Sequence, residues 1–173
     1  MVTPAKYSAV ETLRNGRQLA IRALRTEDRN AFVAAANRVS VHSLKNRFFA
    51  VKREFSENEI SFFVNVDFVN HVALVATLSE GGRSMIVGGA RYVVVSPGKA
   101  EVAFAILDQY QRQGIGTVLM RHLGTIAHQA GLRELIAEVL PENTAMLKVL
   151  GSSGFPFSTN ADPGVVHATL RLS

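Results

Sequence analysis

Between residues 101 and 140 the hydrophobic period changes twice, and this does most to limit how the chain can fold. "EVAFAIL" (101–107) is an apolar run of strand length. "YQRQGIGT" (110–117) then places two glycines at a junction. From Gly114 to about Ala130 the apolar residues Ile115, Val118, Leu119, Leu123, Ile126 and Ala127 fall on one helical face, and Gly131 ends that helix. "LRELIAEVL" (132–140) returns to a strand. A strand, a helix and a strand in this order form one β-α-β crossover.

The segments on either side fill out the architecture. "RQLAIRAL" (17–24) alternates as a strand does, and Thr26 can cap a following helix with Glu27 and Asp28 in its first turn. "SVHSLKNRFF" reads as a short helix. "SENEISFFVNV" opens another, with Ser56 three residues before Glu59 as in a capping box, and Ile60, Phe63 and Val64 at helical spacing. "HVALVATLS" (71–79), "MIVGGARYVVV" (85–95) and "EVAFAIL" are β-rich, and the turn sequences "EGGR" and "SPGK" separate them. Pro97-Gly98 fits the centre of a type II turn. "NTAMLKVLGSS" is a short helix stopped near Gly154, and "VVHATLRL" (165–172) is a closing strand. The order is β-α-α-α-β-β-β-α-β-α-β. This predicts an α+β fold with a mixed, mostly antiparallel sheet flanked by helices. Residues 1–16 read as a loosely held lead-in and 17–173 as a single domain.

Composition narrows the function classes. At 173 residues and 47% hydrophobic content, the chain can build one real core. No apolar run spans a bilayer and no signal-peptide pattern opens the chain, so a cytoplasmic protein is the simplest expectation. Zero cysteines exclude disulfides and thiolate chemistry. The five histidines (42, 71, 122, 128 and 167) lack metal-ligand spacing, so no metal site is expected. The net charge of +5 suits an anionic ligand or an acidic partner. The basic residues are scattered without an aromatic stacking pattern, so no nucleic-acid partner is expected.

What the glycine turn can hold follows partly by exclusion. A P-loop needs Lys and then Ser or Thr after its last glycine, whereas Gly116 is followed by Thr117 and Val118. A dinucleotide turn needs a third small residue where Leu119 stands, and it begins a doubly wound sheet rather than following a meander. Two readings remain at this level. One is a tight turn with no ligand. The other is an anion held by the free N–H groups of the new helix, with Gln111, Arg112 and Gln113 beside it.

The motif Gln111-Arg112-Gln113-Gly114-Ile115-Gly116 resembles the Q/R-x-x-G-x-G/A signature of the GNAT superfamily of acyl-CoA-dependent N-acyltransferases. As in that family, a helix, a strand and an asparagine-led helix ending in "GF" follow it, from Asn143 to Phe155. The stretches "LRNGRQLAIRAL", "NRFF", "GGARYV", "AEVAFAI", "QRQGIGT" and "AEVLPENTAML" are similar to the catalytic domain of bacterial Pat-type protein lysine acetyltransferases. The likeness extends over about residues 17–172.

The resemblance implies a site. Backbone N–H groups of Gln113, Gly114, Gly116 and Thr117 would hold the pyrophosphate of acetyl-CoA. Arg112 adds charge there or is a solvated surface arginine. The fourth strand would splay from the fifth, leaving Ile106, Leu107 and Asp108 to pair with the pantetheine arm. Asn143 caps its helix, contacts that arm, or does both. Glu101, at the start of the fourth strand, is where several protein-acetylating members keep a general base; otherwise it is a solvated charge. Glu138 is the second choice. Many members carry a tyrosine acid about four residues before the "GF" glycine, whereas Leu150 stands in that place here. The expected reaction moves an acetyl group to a primary amine, with a lysine on another protein as the first expectation. A small-molecule amine acceptor or a non-catalytic acyl-CoA sensor is the alternative.

Overall fold

The computed structural model describes residues 3–37 and 56–172. The helix expected over "SVHSLKNRFF", and His42 with it, lie outside the described residues. The strands are β1 (Ser8–Thr12), β2 (Gln18–Ala23), β3 (His71–Glu80), β4 (Arg83–Ser96), β5 (Lys99–Ile106), β6 (Glu134–Val139), β7 (Phe157–Asp162) and β8 (Val165–Arg171). The helices are α1 (Arg29–Asn37), α2 (Glu57–Val64), α3 (Ile115–Gln129) and α4 (Thr144–Gly151). All eight strands join one sheet in the order β1-β2-β3-β4-β5-β6-β8-β7. Every pairing is antiparallel except that of β5 with β6, which α3 connects.

Local chemistry explains most of the boundaries. Ser56 Oγ accepts from Glu59 N–H, and Glu59 Oε1 accepts from Ser56 N–H at 3.0 Å, so the expected capping box starts α2. Gly98 has φ +77°, as the second central residue of a type II turn requires, and Pro97 precedes it. The start of α1 differs from expectation. Thr26–Asp28 is a 3-10 turn, and Asp28, not Thr26, accepts the free N–H, from Arg25 at 2.8 Å. The carboxylate wins because Arg22 grips it with two bonds, at 2.7 and 2.9 Å.

Two strands were not expected. β1 lies within the lead-in and pairs with β2 along its length. β7 follows "GF" and pairs with β8. Both are edge strands, and β7 is exposed at five of its six positions, so neither carries an apolar alternation to read.

The core lies mainly between α3 and the sheet. Leu119, Met120 and Leu123 of α3 are fully buried against residues that include Leu74, Tyr92 and Leu135. Gly124 lets the Phe155 ring lie against α3, because a Cβ there would sit 2.8 Å from Phe155 Cζ. α1 and α2 pack on the opposite face, where Arg91 of β4 lies under the Phe32 and Phe63 rings. β3 is buried at its first eight positions, as a strand covered on both faces must be. Among the described residues, no helix is long and apolar enough to cross a membrane.

Candidate active site

β5 and β6 pair over only three positions, Lys99 with Glu134, Ala100 with Leu135 and Glu101 with Ile136. Beyond Glu101 the two strands part. β5 stays paired with β4 up to Ile106 opposite Gly88, so only its β6 side opens. Backbone groups alternate sides along a strand. Leu107 N–H donates to Val87 C=O at 2.9 Å on the β4 side. By that alternation, the groups of Val102, Phe104 and Ile106 point into the gap. The Ile106 carbonyl already accepts from Gln111 Nε2 at 3.0 Å. The gap-facing backbone therefore extends to Val102 and Phe104, four and two residues before the expected Ile106–Asp108 stretch. Asp108 opens a 3-10 turn (Asp108–Tyr110), and its carbonyl takes Gln111 N–H.

The glycine turn closes one end of this gap. Gly114 is the N-cap residue of α3 with φ 85° and ψ 4°, a left-handed conformation that glycine adopts without steric cost. A glycine has no side chain to cap with, and Val118 N–H is the first in the helix to find a carbonyl, that of Gly114. The N–H groups of Ile115, Gly116 and Thr117 are thus left for another acceptor. A Cβ on Gly114 would meet nothing within 4 Å, so the space above the turn is open. Gly116 is glycine for another reason. Its Cβ would come 3.2 Å from Val149 Cγ2 and 3.5 Å from Phe104, so it lets α3 approach α4 and β5 closely. Arg112 is exposed and holds φ 65°, a left-handed value that costs a non-glycine residue about 1 kcal/mol. Gln113 Oε1 accepts from Asn15 Nδ2 at 3.3 Å.

The other residues fall around the gap. Asn143 caps α4, its Oδ1 accepting from Met146 N–H at 3.2 Å. Leu150 is 1% exposed and belongs to the core, so that position holds no acid. Glu101 is exposed at the vertex where β5 and β6 part. It stands opposite Val93 in register, and Val93 shares its face with Arg91. Glu101 therefore projects on the α1–α2 face, away from α3. Glu138 lies farther along β6, opposite His167 of β8, and is also exposed.

A polar cluster on the α1–α2 face was not foreseen. His71 is 8% exposed. Its Nε2 lies 2.9 Å from Arg91 Nη1, which also donates to Phe63 C=O at 2.8 Å. Since arginine only donates, His71 Nε2 is the acceptor and its proton is on Nδ1. Burial, with help from the Arg91 charge, pushes the His71 pKa down to about 4. Asp67 Oδ1 accepts from the N–H groups of Val69, Asn70 and His71, and these bonds hold its carboxyl below the usual range. The spacing of His71 and Arg91 in sequence carries no sign of this pairing. Among the described residues no group of acids and histidines could hold a metal ion.

Comparison with known proteins decides the family. The sequence model of the Acetyltransferase (GNAT) family matches residues 23–155. An acetyltransferase of Pseudomonas aeruginosa is 34% identical over 161 residues, covering 91% of this chain and 87% of that protein. The chain belongs to the GNAT acetyltransferase family. The Acetyltransferase Pat of Mycolicibacterium smegmatis is 33% identical over 129 residues, which is 73% of this chain and 38% of that longer protein. The crystal structure of the GNAT domain of S. lividans PAT superposes with a TM-score of 0.85 at 31% identity, covering 95% of this chain and 96% of that one. Like its family, this GNAT enzyme uses acetyl-CoA as the acetyl donor. Its mixed sheet and flanking helices are those of the GNAT fold.

Proposed function

We propose that this GNAT enzyme acetylates lysine side chains on other proteins, with Glu101 as the general base. The observation that carries the reading is the position of Glu101. It stands exposed at the vertex of the β5–β6 gap, on the face opposite α3. A donor held from the α3 side and an acceptor arriving from the α1–α2 side would meet beside it.

The residues present fit coenzyme A. The uncapped N–H groups of Ile115, Gly116 and Thr117, the open space over Gly114, and the N–H groups of Gln113 and Gly114 would hold the pyrophosphate. Arg112 would add charge. Backbone groups of Val102 and Phe104 and the N–H of Ile106 would pair with the pantetheine arm, with Leu107, Asp108 and Gln111 shaping the end of the strand. Asn143 would orient the arm while it caps α4. Acetyl-CoA supplies an acetyl thioester that a neutral amine can attack. Free lysine, with a pKa near 10.4, is about 99.9% protonated at pH 7. Glu101 takes that proton, directly or through water. With Leu150 in the core, no side chain at that position returns one to the departing thiolate.

A protein acceptor is supported by two features. The sequence resembles Pat-type lysine acetyltransferases across the domain, and Glu101 is open enough to be reached by an amine carried on a macromolecule. The test is Glu101→Gln, which keeps the shape and removes the basicity. Transfer at pH 7 should fall about a hundredfold with acetyl-CoA affinity nearly unchanged, and the deficit should shrink toward the lysine pKa. A wild-type rate where chemistry limits turnover would move the role to Glu138 or to a backbone-held water.

A further inference from the structure

The loop that leads into α3 is held by side chains of other strands at the same end of the sheet. Tyr110 closes the 3-10 turn and is 6% exposed. Its hydroxyl donates to Glu80 Oε1 at 3.0 Å. The same oxygen accepts from Arg17 Nη2 at 2.8 Å, and Arg17 also donates to Ser79 C=O at 3.1 Å. Glu80 is the last residue of β3, and Arg17 lies in the turn between β1 and β2. Asn15, in that turn, accepts from Arg17 N–H at 3.0 Å while its Nδ2 reaches Gln113. The β1–β2 turn therefore meets the loop twice, once directly at Gln113 and once at Tyr110 through Glu80.

Arg112 sits between these two anchors. Its left-handed backbone persists only where the surroundings over-determine it. An acid near an anion-holding loop would oppose the anion if it stood alone. Here Arg17 offsets it. The hydrogen bonds from Arg17 and Tyr110 also hold the Glu80 carboxyl below its ordinary range, so it remains an acceptor for both donors at neutral pH.

We infer that Arg17, Glu80 and Tyr110 act as positioning residues for the cofactor: they fix the pose of residues 110–113, and so set part of the affinity for acetyl-CoA. None of them needs to touch the ligand. The inference rests on the reading that the turn at Gly114 holds the pyrophosphate. It predicts that a residue in the β1–β2 turn alters cofactor affinity without altering the chemistry at Glu101.

The test is calorimetric titration of the full chain with acetyl-CoA, with thermal unfolding measured alongside. Tyr110→Phe removes the Tyr110–Glu80 bond, Glu80→Ala removes that bond and the one from Arg17, and each should weaken binding at least about fivefold. The double variant should be no weaker than the worse single one, because the contact is shared. Glu80→Gln still offers an oxygen to both donors and should bind within about twofold of wild type. Wild-type affinity in folded Tyr110→Phe and Glu80→Ala proteins, with only a lower melting temperature, would overturn the inference. So would losses that multiply in the double variant. Gly114→Asp separates the two levels. If it weakens binding while the Tyr110 and Glu80 variants do not, only the positioning role fails. If it binds as wild type does, the assignment of the loop itself fails.

Discussion

Gly114→Asp should separate cofactor affinity from stability. The residue has φ 85° and open space around its missing Cβ, so an aspartate meets no steric clash. It pays for the left-handed backbone, about 1 kcal/mol or somewhat less for Asp. Its carboxylate also faces the uncapped first turn of α3, which returns about 0.3–1 kcal/mol. The two nearly cancel, so the unliganded variant should unfold within about 1 kcal/mol of wild type. Binding behaves differently. A carboxylate and a phosphate charge about 4 Å apart repel by roughly 4 kcal/mol at an effective dielectric constant near 20. A third of that already corresponds to about tenfold in affinity. Calorimetry should therefore show acetyl-CoA binding at least tenfold weaker. Gly114→Asn makes the same backbone demand without the charge and should lose clearly less. Equal affinities for the Asp and Asn variants would refute the charge argument, and wild-type affinity in both would refute phosphate binding at this turn.

Two further outcomes concern the scaffold. His71 is neutral in the fold down to about pH 4, whereas the unfolded chain protonates it near 6.5. Stability should therefore fall by up to roughly 3 kcal/mol as the pH drops from about 6.5 to 4, as followed by denaturant unfolding, and His71→Gln should flatten that window. The carboxylate beside it behaves otherwise: Asp67, held low, loses its contribution only at still lower pH. Gly124→Ala tests packing against propensity. Helix propensity alone would stabilise it by about 1 kcal/mol, but the added Cβ would press on the Phe155 ring. A net loss of about 1–2 kcal/mol in urea unfolding is expected, and a gain would contradict the packing.

The parts of the fold that sequence could reveal are those set by local chemistry. The capping box at Ser56 and Glu59, the turn at Pro97-Gly98 and the apolar face of α3 each follow from residues close in the chain. β1 and β7 escaped because they are edge strands held by backbone pairing, with little apolar pattern of their own. The site divides in the same way. The glycine turn was legible because a left-handed N-cap demands glycine. The reason for Gly116 was not, since Val149 and Phe104 reach it only through tertiary packing. Nor was the alternation that turns Val102 and Phe104 toward the gap, which depends on where β5 leaves β6. The contacts of Tyr110 and Arg17 with Glu80 span 30 and 63 positions of sequence and leave no local trace.

Mass spectrometry tests the proposed lysine acceptor directly. Purified enzyme and isotopically labelled acetyl-CoA would be incubated with a lysate containing both proteins and small metabolites, beside a Glu101→Gln control. Labelled acetyl groups are expected on the side-chain amines of a limited set of protein lysines, far fewer of them with the Glu101→Gln enzyme. Label confined to small-molecule amines, with protein lysines no more acetylated than without enzyme, would contradict the proposed acceptor.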